Sequence, residues 1–137
     1  MTKNRSNGTA VRTPADRSKA PRVVLATAGA RTPEWDRVFR RLGWEVAVAD
    51  GEESRRIAHR LRATAVVLPV EPGTESGLLT CAKLVRELPM CRVVLVGPEN
   101  EELERFALFA GAAAYVVEGA PGDDLVRAVT GQNVWEN

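Results

Sequence analysis

Two cysteines, one histidine and aromatic residues amounting to 5% set the first limits on this sequence of 137 residues. Cys81 and Cys91 match neither a CxxC redox motif nor a paired zinc motif, which excludes a disulfide scaffold and a structural zinc site. Both are expected to be reduced thiols in or near the core, where free cysteine usually sits. His59 has no acid or thiol at a telling spacing and falls on the outward side of its helix, so a Cys–His or Ser–His nucleophilic site is excluded. No apolar run approaches the ~20 residues that span a bilayer, and no secretory signal opens the chain. A cytoplasmic location is the expectation. There is no internal repeat, no GxGxxG and no P-loop lysine, so Thr27-Ala28-Gly29-Ala30 is read as a plain turn and not a phosphate cradle.

Charge of one sign is not in excess, with 19 Lys and Arg against 18 Asp and Glu, but it is unevenly placed. As far as Arg22 the chain carries Lys3, Arg5, Arg12, Arg17, Lys19 and Arg22 against Asp16 alone. Residues 1–21 contain almost nothing that packs and cannot offset the entropy of ordering, which predicts a disordered basic arm. A domain over residues 22–131 and a short tail, 132–137, complete the division.

From Arg22 onward, short β-branched runs alternate with segments of helical period, the pattern of an α/β domain. The strands are Val23–Ala26, Val46–Ala49, Ala65–Leu68, Val93–Val96 and Tyr115–Val117. The first helix is expected to be capped by Thr32 and to bury Trp35, Val38, Phe39 and Leu42; Gly43 closes it. Asp50 and Glu53 form a capping-box-like pair before the second, which buries Ile57, Ala58 and Leu61. Ser76 caps the third, with Leu78, Ala82, Val85 and Leu88 inward. Asn100 caps the fourth, with Leu103, Phe106, Ala107 and Ala110 inward. Asp123 or Asp124 caps the last, with Leu125, Val126 and Val129 inward and Gly131 at its end. Five strands joined in this way require right-handed crossovers, hence a doubly wound parallel sheet with helices on both faces.

Ala65-Val66-Val67-Leu68 followed by Ser76-Gly77-Leu78, and Ala110-Gly111-Ala112 followed by Tyr115-Val116-Val117, resemble the receiver domain of bacterial two-component response regulators over residues 22–131. In that family the first pair corresponds to the phosphoacceptor strand and its downstream Asp-Gly-Leu, the second to the Ala-Gly-Ala leading into the fifth strand. The resemblance implies a flavodoxin-like sheet of order 2-1-3-4-5, with the site at the C-terminal strand ends. It also implies a carboxylate nucleophile and an acidic pair holding magnesium. Counting back from Gly77 puts Pro69 at the nucleophile, and the acidic pair falls on Thr27 and Ala28. The Ser or Thr that senses the phosphoryl group is Gly97, and the family's lysine is Glu118. All five positions have changed and one has reversed its charge. Glu71 and Glu75 lie nearby but would lack a metal, and Glu118 would repel the phosphoryl anion. The expectation is a degenerate receiver that is not an enzyme and binds neither cofactor nor magnesium.

On the fourth helix, Leu108 and Phe109 lie beyond the inward stripe. With Ala113, Ala114 and Tyr115 they are expected to border an interface, because receivers commonly dimerise or hold partners through helix 4, strand 5 and helix 5. Trp135 in the tail is a further anchor candidate. The leading expectation is a phosphorylation-independent protein–protein interaction module of bacterial signalling or assembly, working with a protein partner or a second copy. Since little follows Gly131, any effect should travel through contact with another chain. A small-molecule or nucleotide-binding domain using the strand-end pocket is the alternative. A nucleic-acid tether through the basic arm is a third reading, not supported by interleaved aromatics. Arg37, Arg40, Arg41, Arg55, Arg56, Arg60 and Arg62 read as a solvated face near the second strand.

Overall fold

Runs of valine, leucine and alanine with no interposed charge suit strands buried on both faces, and the three central strands of the sheet are covered in that way. The computed structural model describes residues 20–26, 31–51, 53–70 and 76–131. In chain order the elements are β1 (Arg22–Ala26), α1 (Thr32–Arg41), β2 (Glu45–Ala49), α2 (Ser54–Leu61) and β3 (Ala65–Pro69). They continue as α3 (Gly77–Glu87), β4 (Arg92–Gly97), α4 (Glu101–Phe109), β5 (Ala114–Val117) and α5 (Gly122–Thr130). All strand pairs are parallel and the order is β2-β1-β3-β4-β5.

The two-residue period of the strands divides the core between the faces. Val24, Val66, Leu68, Val93 and Leu95 point to one side and meet Ala58 of α2, Cys81 and Leu84 of α3 and Ala107 of α4. Val23, Leu25, Val67, Val94 and Val116 point to the other, against Phe39 of α1 and Leu125 and Val129 of α5. Each fully buried Val, Leu or Phe contributes on the order of 1.5–3 kcal/mol of transfer free energy, which makes these two layers the main source of stability. Phe39 also meets Trp44 edge-on at 5.5 Å between ring centroids.

Helix starts follow the sequence where a side chain can reach the free N–H groups. Ser76 accepts from the Leu79 amide, and Asn100 accepts from those of Glu102 and Leu103. Two expected caps are corrected. Thr32 is the first helical residue of α1, after Arg31, with no side-chain cap; Pro121 precedes α5, leaving Asp123 and Asp124 inside its first turn. There they still oppose the positive helix end. Asp50 acts one turn early: its carboxylate accepts from Glu53 N–H, and Glu53 is the cap residue of α2. Leu42 is corrected too, being 53% exposed because α1 ends at Arg41 before its stripe returns to the sheet.

His59 is less isolated than its sequence context implies. Its Nε2 lies 2.7 Å from Glu87 Oε1, and Arg55 donates to the same carboxylate, so α2 and α3 are bridged across their outer surface. At the start of the domain, Ala20 is buried and Pro21 accepts from the Glu45 amide at 2.9 Å. Residues 1–19 and 132–137, with Trp135, lie outside the described residues. Among the described residues no helix is long and apolar enough to cross a membrane.

Candidate functional site

In a parallel sheet all strands deliver their C-terminal residues to one rim, where loops and helix starts converge. Here the register sets Pro69 beside Val96 and Gly97 beside Val117, so Pro69, Gly97 and Glu118 share one edge of the domain. Backbone hydrogen bonds lock this edge: Val70 N–H to Val96 O at 2.9 Å, and Glu118 N–H to Gly97 O at 2.7 Å. Thr27 and Ala28, like Glu71 and Glu75, lie outside the described residues.

Pro69 carries a saturated ring with no nucleophilic or ionisable side-chain atom. Its carbonyl is in use as a wall, because a Cβ on Gly77 would overlap Pro69 O and come within 2.8 Å of Val70 O. Glycine at position 77 is what lets α3 start hard against the end of β3.

Gly97 is constrained in the same way by a different neighbour. A Cβ there would lie 2.5 Å from the Tyr115 hydroxyl and 2.6 Å from Val70 Cγ2. Tyr115 has turned over the end of β4 and donates its O–H to Pro98 O. Burial, with the Glu118 and Glu104 carboxylates adding to it, raises the Tyr115 pKa, so the phenol stays a donor. Thus the tyrosine occupies the volume that a serine or threonine at position 97 would need. Glu118 is exposed beyond it.

Below this rim, on the α1–α5 side, is a cavity of about 320 Å³ lined by Ala26, Trp35, Val67, Val96, Val116 and Leu125, with Arg31 and Glu118 also in its lining. Arg31 donates to Ala120 O at 2.7 Å, pairs with Glu34 at 3.3 Å and lies 5.6 Å from the centre of the Trp35 ring. The buried indole N–H of Trp35 has no acceptor among the described residues. Among those residues, no group of three or more His, Cys, Asp or Glu is placed to hold a metal ion. Both thiols are buried and their pKa values pushed up to about 11 by desolvation, leaving them protonated and unreactive near neutral pH.

The second candidate region lies on α4. Ala107 is its one buried residue, and Leu103 and Ala110 pack beside it. That stripe at i, i+4 and i+7 is enough to seat the helix, and it corrects the expectation for Phe106, which is 50% exposed. Leu108 is 54% exposed and Phe109 94% exposed. Ala113 is exposed; Tyr115 is half-buried and faces its own rim as described above. Alongside, a groove between α4, the open edge of β5 and α5 is lined by Leu108, Ala113, Tyr115, Val117, Asp124 and Arg127. Phe106 was the residue that sequence reasoning missed. The signal for it was the complete Leu103–Ala107–Ala110 stripe, which left it no inward position.

The architecture is that of the CheY-like receiver fold. A receiver domain protein from Methanospirillum hungatei superposes with a TM-score of 0.75 at 18% identity, covering 83% of this chain and 94% of that one. A Burkholderia pseudomallei response regulator, whose structure contains a phosphorylated aspartic acid and a calcium ion, gives 0.72 at 19% identity, covering 81% and 66%. In sequence, the chain is 31% identical over 80 residues to the response regulator GacA of Pseudomonas aeruginosa. That match takes in 58% of this chain but 37% of GacA, so the chain spans little more than a third of that relative. No family model matches.

Proposed function

We propose that this chain is a degenerate receiver: a phosphorylation-independent interaction module of bacterial two-component signalling that associates through α4, β5 and α5. The observation that carries the reading is the outward Phe109, 94% exposed beside a half-exposed Leu108, on the helix bordering the open edge of β5. Exposed apolar side chains next to an unpaired strand edge favour a partner surface. The groove beside them carries both signs of charge, Glu104 and Asp124 with Arg92 and Arg127. A surface that is apolar at its centre and mixed in charge around it suits a second copy of itself, since a two-fold contact sets each residue against its counterpart's neighbours.

Loss of phosphoryl chemistry is the other half of the reading. Pro69 replaces the nucleophile, Gly97 is kept free of a side chain by Tyr115, and Glu118 puts negative charge where a cation would assist transfer. Thr27 and Ala28 bring no anionic oxygen for magnesium.

Two measurements test the proposal. Incubation with acetyl phosphate and magnesium should leave the intact mass unchanged, and a stable phosphoryl adduct would refute phosphorylation independence. Sedimentation should show a dimer for the wild type and a monomer for Phe109→Glu at the same melting temperature. A monomeric wild type sinks the self-association reading.

A further inference from the structure

We infer that the cavity under the strand ends is a binding site for a small, uncharged, largely apolar molecule bearing one hydrogen-bond acceptor oxygen. This goes beyond the interface reading and does not depend on it, because the cavity opens on the α1–α5 side and shares neither Leu108 nor Phe109.

Three observations converge. The first is size: about 320 Å³ is at the lower end of the range that small-molecule sites occupy. The second is the wall. Ala26, Val67, Val96, Val116 and Leu125 present hydrocarbon at the place where the fold delivers its strand ends, so a ligand is held by removing apolar surface from water.

The third is the pattern of charge and hydrogen bonding. Arg31, the cation of the lining, is already committed to Glu34 and to Ala120 O, and the exposed Glu118 adds a carboxylate to the lining. An anion entering would meet acid and find the guanidinium taken, which selects a neutral molecule. Trp35, in the wall, holds a buried indole N–H with no acceptor among the described residues. Such donors are nearly always paired, and a carbonyl oxygen on the ligand would pair this one after a small shift of the indole.

The test uses three probes of one shape: 2-acetylnaphthalene, 2-ethylnaphthalene, which lacks the acceptor, and 2-naphthoate, which is charged. Binding is followed by the Trp35 indole N–H resonance, assigned with Trp35→Phe. The expected result is a saturable shift with the ketone, binding about fivefold weaker for the hydrocarbon, which lacks the hydrogen bond, and weaker still for the carboxylate. Ala120→Leu should fill the mouth and abolish the shift. Should that variant melt early, Ala120→Met offers a more flexible side chain at the same place. No saturable shift in the wild type overturns the site, as does an unchanged shift in a folded mouth-filling variant. Equal binding of the hydrocarbon removes the acceptor, and tighter binding of the carboxylate removes the neutrality. Sedimentation of Phe109→Glu reads the interface separately, so the two proposals fail independently.

Discussion

At the strand ends, small neutral residues are explained by their neighbours inside the chain; on α4, large apolar residues are not. Gly97 is a glycine because Tyr115 and Val70 fill its space, and Gly77 because the carbonyls of Pro69 and Val70 do. Phe109 touches no comparable internal requirement, since Leu103, Ala107 and Ala110 already seat its helix. The contrast separates two kinds of feature within one receiver-like fold. The first is a settled local structure that leaves no room for a side chain at Gly97. The second is an apolar surface that the chain's own packing does not use, which is the basis of the interface proposed above.

The contrast can be broken by substitution, and the largest effect is expected at Gly77. Gly77→Ala drives a methyl into the end of β3 and should cost ~3 kcal/mol in urea unfolding, the upper part of the usual range for overpacking. A near-neutral result would show that α3 can move and that the rim is not locked. Gly97→Thr should cost ~1–3 kcal/mol by displacing Tyr115, and the loss should shrink by ~1 kcal/mol when Tyr115→Ala is added. Additive effects in that double-mutant cycle would mean the tyrosine does not determine the glycine. On α4, Phe109→Glu should change monomer stability by no more than ~0.5 kcal/mol while weakening self-association more than tenfold.

The smallest effect belongs to the α2–α3 bridge and depends on pH. Hydrogen bonds first from Arg55 and then from His59 hold the Glu87 carboxyl at about 2, below its ordinary 4.5. A depressed carboxylate pKa stabilises the fold fully above the unfolded value, and that contribution is lost as pH falls from about 4.5 toward 2. Melting curves across this window should therefore drop more steeply for the wild type than for Glu87→Gln. Parallel curves would show that the bridge is too solvated to matter.

Much of the fold was legible because strand and helix periods are local. The five strands fall within one residue of their expected bounds, and Ser76 and Asn100 cap where a polar side chain precedes a helical run. Thr32 and the Asp123–Asp124 pair were misplaced as caps because proline at 33 and at 121 allows a helix to start without a side-chain acceptor. Phe106 and Leu42 were assigned inward because apolar residues near a stripe look alike in sequence, whereas the sheet accepts only what the helix axis turns toward it. His59 and Glu87 are 28 positions apart, a spacing at which no local pattern signals contact.

The sequence alone determined the alternation of strands and helices and the division of the core between two faces, because these depend on residue type and short-range period. Only the tertiary structure decided that Tyr115 closes over Gly97, that a cavity lies beneath the rim, and that Phe106 is left half in solvent. Each of those depends on which distant segments compete for the same volume, and volume is fixed only when the chain is folded.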